Sequence, residues 1–260
     1  MAGDCKRQAY SLAYRAEPVF VLGGKMLDFL GIIATAALMV FAVNALITFM
    51  DIPRSAKLTL AAIAGLWIGL SAAAASASWI AISEPFPIIG IFVATPLIVV
   101  AIAAAWPAVR EAMLGVPMRL LIGLNIGRVF AVLFLLLAVE GRLAGPFPYF
   151  AGWGDIITGV LALPLIWLAN YEGGKTNAAI AAWNLFGTAD LVLAIALGVS
   201  SSEGSSLQIF HAAPGSAAMQ HLPWSFVPTV LVPFWLILHA IIWVQLRRRS
   251  RHGRPVHAVA

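Results

Sequence analysis

The sequence predicts an all-α protein, a polytopic transmembrane helical bundle of about seven helices. Three observations carry that expectation. Hydrophobic residues make up 62% of the chain and charged residues only 10%, where soluble domains carry about 25% charged residues. The mean hydropathy is +0.94. Apolar runs long enough to cross a bilayer as helices, about 20 residues each, recur between short breaks of charge, proline and glycine.

In chain order, an N-terminal segment, 1–28, contains Lys6, Arg7, Arg15 and Lys25 but no continuous apolar stretch ending in a small-residue cleavage site. The first span is therefore expected to stay in the mature protein. The helices are expected at about 29–50, 58–82, 88–109, 119–139, 147–169, 176–199 and 224–246, followed by a basic tail, 247–260. Asp51, Pro53 and Arg54 close the first helix, and Glu84, Pro85 and Pro87 part the second from the third. Arg110 and Glu111 end the third helix; Glu140, Arg142, Gly145, Pro146 and Pro148 make the fourth connection, and Glu172 to Lys175 the fifth. Only the sixth connection, about 24 residues from Ser200 to Pro223, is long, and it is too polar to span. Helices one to three are nearly free of charge, while helices four to seven carry the polar residues.

Charge sets the partners and the orientation. A net charge of +5 suggests nucleic acid in a soluble chain, but here Arg247, Arg248, Arg249, Arg251 and Arg254 all sit in one tail, so the partners expected are membrane lipids and no nucleic acid. Arg54, Lys57, Arg110, Arg119 and Lys175 share the tail's side, ten basic residues in all, against five on the other side. That excess predicts a cytoplasmic C-terminus and, with seven crossings, an N-terminus outside. The basic N-terminal segment opposes this, and a half-buried piece around Pro18 to Gly24 is where the count of crossings is weakest. The single cysteine, Cys5, excludes an intramolecular disulfide and any multi-cysteine metal site.

The residues that ask for a reason are charges inside apolar runs: Arg128 in helix four, Asp155 in helix five and Asp190 in helix six. Each costs about 2.5–3.5 kcal/mol on insertion scales. At helical rise they lie at ~16, ~12 and ~13 Å from the same side of the membrane, so they are expected to form one cluster with Asn125 and Asn184 nearby. An arginine between two carboxylates satisfies its donors and keeps the group charged, whereas an arginine paired with one leaves the other free for proton exchange. Gly123, Gly127, Gly152, Gly154, Gly159 and Gly187 beside these charges permit close backbone approach or leave room for a ligand. Trp153 and Trp183 flank two of the sites. His239 in helix seven is expected ~9 Å deeper than the aspartates, below a kink at Pro228 and Pro233 that frees backbone carbonyls. With no second intramembrane histidine, a bis-histidine haem site within one chain is excluded and no cofactor is expected. His211, Met219 and His221 in the long connection match no rigid ligand spacing, so no metal is expected.

Asn125, Gly127 and Arg128 also read like Asn184, Gly187 and Asp190, a weak sign of internal duplication. Gly152, Trp153, Gly154 and Asp155 spell GxGD, which resembles the motif of intramembrane aspartyl proteases of the presenilin-like and prepilin-peptidase kinds. The resemblance implies two aspartates activating water, but it covers four residues. In the presenilin-like group the partner aspartate precedes the motif, whereas Asp190 follows it, and Arg128 beside the pair opposes a shared proton. Over roughly 120–242 the chain resembles a group of uncharacterised bacterial integral membrane proteins. That resemblance rests on Arg128, Phe150 to Asp155, Trp183, Asn184, Gly187, Asp190 and Leu191, and Leu222 and Pro223 through Pro233 to His239. It supports the site without naming an activity.

Three readings follow. The leading one is a membrane protein that binds or moves a small solute or proton at Arg128, Asp155 and Asp190, with Arg128 as anion anchor or counter-ion and one aspartate titrating. The second is a membrane-embedded enzyme acting on a lipid or isoprenoid. The third is a non-catalytic accessory subunit whose charges hold helices together; oligomeric state is left open.

Overall fold

The computed structural model describes residues 3–81, 88–171 and 173–252, with side chains described over 23–250. The breaker at Glu84 to Pro87, Glu172 and Arg254 fall outside those residues, as do the side chains of Cys5, Lys6, Arg7, Arg15 and Arg251. Among the described residues the chain is helical, with no strand. The helices are α1 (Gly3–Phe49), α2 (Arg54–Ser76), α3 (Ile88–Ala103), α4 (Pro107–Leu114), α5 (Met118–Gly123), α6 (Val132–Val139), α7 (Phe147–Leu168), α8 (Gly174–Ser200) and α9 (Val232–His252). Six stretches are long and apolar enough to cross a membrane, and α3 with α4 makes a seventh that is bent by 109°.

Contacts mark the two ends of the bundle. At one end Asp28 of α1 accepts hydrogen bonds from Arg142, beyond α6, and from the indole of Trp224, before α9. At the other end Arg248 of α9 grips Glu111 of α4 with both terminal nitrogens, and Gln245 donates to the carbonyls of Leu114 and Val116. We call these the loop face and the tail face. From Asp28 to Arg248 the described bundle runs from the loop face to the tail face. At ~1.5 Å per residue α3 rises only ~24 Å, less than a ~30 Å hydrocarbon core. The short α4 then turns along the tail face with Arg110 and Glu111 in solvent and Ala112 buried.

Several boundaries differ from the sequence expectation. The chain before residue 29 continues α1 instead of forming a separate segment, and α9 runs into the basic tail to His252. The third helix stops at Ala103 because Pro107 drives Trp106, the residue before it, into an extended conformation. The fourth span is not one α-helix: between α5 and α6 the eight residues Leu124–Ala131 form a 3-10 helix. Gly123, Asn125 and Gly127 weaken α-helix there, and the tighter winding repeats every three residues. Asn125, Arg128 and Ala131, spaced by three, are accordingly all buried.

α7 is the centre of the bundle and packs against α5, the 3-10 segment, α6 and α8. Its buried face, Ala151, Gly152, Asp155, Thr158, Gly159, Ala162 and Leu165, follows the helical period with mostly small side chains. Small residues let backbones approach. A Cβ on Gly159 would stand 3.0 Å from the backbone nitrogen of Val129 and 3.2 Å from the carbonyl oxygen of Asn125.

The long connection folds back over the loop face. Ser200 O accepts from the amides of Ile209 and Phe210, Ser216 Oγ donates to Gly198 O, and Gln220 donates to Ser202 Oγ. A π-helical turn, Val227–Leu231, then leads into α9. Pro233 cannot supply the amide that Thr229 O would receive in an α-helix, and the indole of Trp67 in α2 donates to that carbonyl at 2.9 Å. The expected proline-freed carbonyl is present, and a neighbouring helix satisfies it.

Candidate functional site

Arg128 is fully buried, with 0% exposure, in the middle of the bundle. The 3-10 segment points it between α7, α8 and α9. Its Nε donates to Asp155 Oδ1 at 2.5 Å and its Nη2 to Asp190 Oδ2 at 2.5 Å. Its Nη1 donates to the carbonyl of Gly187 at 3.2 Å and to His239 Nε2 at 3.0 Å. Four of its five N–H groups are thereby engaged. The two carboxylate contacts are charge-assisted, roughly twice as strong as neutral hydrogen bonds. The expected cluster of Arg128, Asp155 and Asp190 is formed.

Hydrogen-bond logic fixes the state of His239. A guanidinium can only donate, so Nε2 accepts and Nδ1 carries the proton. Nδ1 then donates to Asn184 Oδ1 at 2.8 Å, while Asn184 Nδ2 donates to the carbonyl of His239 at 3.1 Å. The imidazole is therefore neutral and locked in one orientation. The formal charge of the group is +1 from Arg128 and −2 from the carboxylates, or −1 with both ionised. The Nε2 lone pair of His239 is directed at the Arg128 guanidinium. Among the described residues no three of His, Cys, Asp and Glu gather as a metal site.

The glycines resolve one of the sequence alternatives. A Cβ on Gly154 would strike the carboxylate of Asp190, and one on Gly187 would come within 3 Å of His239 and Thr158. These two positions hold space for the polar network itself. Gly127 makes room for Leu38 of α1.

The His239 carbonyl and ring pair with Asn184, six residues before Asp190 on α8 and so ~9 Å along that helix from it, and the long arginine side chain spans the difference in depth between His239 and the aspartates. Asn125 is buried, but its amide donates back to the carbonyl of Leu121 and its Oδ1 has no partner. It stands beside the network without joining it. Asn125 and Asn184 thus do different work in differently wound segments, and nothing in the fold pairs them as repeats. Trp153 faces outward, while Trp183 is buried, tilts against the ring of His239 at 5.4 Å and donates to Thr158 O.

Sequence reasoning missed two members. The Gly187 carbonyl has no side-chain signature. Trp235, whose ring lies 5.9 Å from the Arg128 guanidinium, is four residues before His239 and so on the same helical face; that spacing was a usable signal.

A cavity lies between α3, α6, α7, α8 and the folded connection, with Asp155 in its lining. It offers roughly 70 Å³ to the centre of a water molecule, several times the ~10–15 Å³ that one water requires. Phe134, Phe147, Leu191 and Ile195 give it apolar walls, and Ser202, Ser216 and Gln220 are the polar groups contributed by the connection. Met219 also lines it, while His211 and His221 are exposed, so the three do not assemble into a ligand set.

The two aspartates bind separate nitrogens of one arginine, an arrangement unsuited to the shared-proton dyad of aspartyl proteases. No curated protein and no solved structure matches this chain. A family model described as "Domain of unknown function (DUF8737)" matches residues 85–247, a span that runs from the start of α3 into α9 and holds the whole network and the cavity. With well over half of its length matched, the chain belongs to the DUF8737 family.

Proposed function

We propose that this chain is an integral membrane protein that binds a small solute at Asp155, in the cavity that this residue lines. The supporting observation is that Asp155 belongs to two structures at once. One of its oxygens is held by Arg128, and the residue also lines an otherwise apolar cavity. Arg128 then acts as counter-ion and not as anion anchor, because it is wholly enclosed and four of its five N–H groups are already engaged. Asp190, His239 and Asn184 hold the guanidinium in place. The same reading sets the protein in a bacterial cytoplasmic membrane with the tail face inside, supported by the excess of Lys and Arg on that face.

One observation favours a second reading, the accessory subunit: the satisfaction of Arg128 and His239 is also what helix-holding glue requires. The test is purification with native lipids, mass spectrometry of co-purifying compounds, and comparison with Asp155→Asn and Ala194→Phe. Ala194 lines the cavity and has no place in the polar network. The binding reading expects a compound present in wild type and depleted in both variants. Equal content in wild type and Ala194→Phe, with only thermal stability altered in Asp155→Asn, leaves the accessory reading.

A further inference from the structure

We infer that the cavity selects an apolar monocation, a small molecule with one ammonium-type head and an apolar body. This rests on the reading of the cavity as a ligand site and adds the charge and shape of what fills it. Three independent features point the same way.

The first is charge. Arg128 contributes one positive charge against two carboxylates, and His239 is held neutral by accepting from the guanidinium. With both carboxylates ionised the network is short of one positive charge, and Asp155 is the member that meets the cavity. Among the described residues lining the cavity, Asp155 is the only ionisable one. An anionic head would find no cation there, since Arg128 has 0% exposure.

The second is the aromatic wall. Phe134 and Phe147 both line the cavity, with ring centroids 6.3 Å apart and planes 26° from parallel. Aromatic faces attract a cation through the ring quadrupole, most strongly where water is excluded. The third is the remaining lining. Leu191, Ile195, Val227 and Val232 accept a hydrocarbon body, and Ser202, Ser216 and Gln220 offer neutral polar groups. A purely hydrated inorganic cation would leave those apolar walls unused.

The experiment uses the full-length protein in a neutral detergent and three ligands of one shape and different charge: hexylammonium, hexanol and hexanoate. Calorimetric titration and thermal unfolding are read at neutral pH on wild type, Asp155→Asn and Ala194→Phe. The expected result is hexylammonium binding at least tenfold more tightly than hexanol, with hexanoate not binding. In Asp155→Asn the preference of cation over alcohol should collapse to near unity, and Ala194→Phe should weaken hexylammonium by tenfold or more while leaving Asp155 in place. If Asp155→Asn does not fold, Ala194→Phe and the three-ligand series decide. Hexanol binding as tightly as hexylammonium overturns the cation assignment but preserves the cavity as a site, its carboxylate being already neutralised by a proton. Hexanoate binding best also overturns it. If no ligand binds, or binding is indifferent to Ala194→Phe, the cavity itself is not a ligand site and the function proposed above falls with it.

Discussion

α2 and the span that contains α9, Val227–Ser250, are both apolar, yet 17% of an 18-residue stretch of the first and 56% of one of the second is buried inside the protein. α2 lies outside the stretch shared with the DUF8737 family, presents Leu58, Ile63 and Leu66 outward, and has Gly65 and Gly69 with nothing near a would-be Cβ. α9 lies within that stretch and carries His239 and Trp235 to a buried arginine. Hydropathy alone cannot separate them, because lipid and protein interior are equally apolar. What separates them is polarity: the charges collect where helices face one another, and the uncharged helices face lipid.

The largest effect that would test this contrast is the loss of Arg128. Removing one partner of a buried ion pair leaves the other charge uncompensated and costs about 3–5 kcal/mol. Arg128→Gln should therefore cause a drop of that order, read as loss of folded protein in detergent-based thermal unfolding. Leu66→Ala, on a residue 75% exposed, should stay near wild type. An Arg128→Gln protein as stable as wild type would mean that the network does not hold the core.

Next come the glycines. Gly154→Ala pushes a methyl group into the carboxylate of Asp190, which Arg128 holds fixed, and overpacking of this kind costs about 1–3 kcal/mol. Gly69→Ala meets open space and should be neutral, within about 0.5 kcal/mol. The measurement is the paired difference in melting temperature. Were Gly69→Ala to cost as much as Gly154→Ala, the outer face of α2 would be covered by another molecule in the assembled protein, and the contrast between the regions would shrink.

Much of the site was legible, and for one reason. Arg128, Asp155, Asp190 and Asn184 stand out because lipid tolerates none of them without a partner, so their depth along each run predicted their meeting. His239 was legible for the same reason, a titratable side chain inside an apolar run, and the structure joins it to Arg128 and Asn184. The 3-10 winding of Leu124–Ala131 was hinted at by Gly123 and Gly127, yet those residues fit close packing equally well. The end of α3 was signalled by Pro107 and passed over in favour of the charges at Arg110 and Glu111. The cavity was not legible at all. Part of its wall comes from the long connection, whose residues have no period to read, and how that connection folds back depends on contacts such as Ser216 with Gly198.

A smaller change would sharpen how α2 is attached. Its indole from Trp67 reaches the carbonyl that Pro233 leaves without an amide partner. Trp67→Phe keeps an aromatic ring facing Phe92, which lies 5.4 Å from the indole, and removes the donor with the pyrrole half of the indole. A hydrogen bond of this kind is worth about 0.5–1.5 kcal/mol. Thermal unfolding should register that loss, and hydrogen exchange should rise around residues 227–233 more than around Arg128. Equal exchange at both places would mean that α2 supports the network directly and is not a peripheral span.

The smallest effect belongs to the rim. Asp28 accepts from Arg142 and from Trp224 at 2.8 Å each, but the ion pair is 39% exposed on the aspartate side and 29% on the arginine side. Exposed pairs contribute about 0–1 kcal/mol and are screened by salt. Asp28→Asn retains an acceptor for the indole and should cost less than 1 kcal/mol, with the difference from wild type shrinking further at high salt. Arg128 and Arg142 then form a direct comparison: two arginines, each beside a carboxylate, one sealed by four helical segments and one at the water boundary. If Asp28→Asn proves as damaging as Arg128→Gln, position relative to water is not what sets the value of a charge in this bundle. The seat that Gly31 provides for Trp224 would then be where α1 is locked to the core.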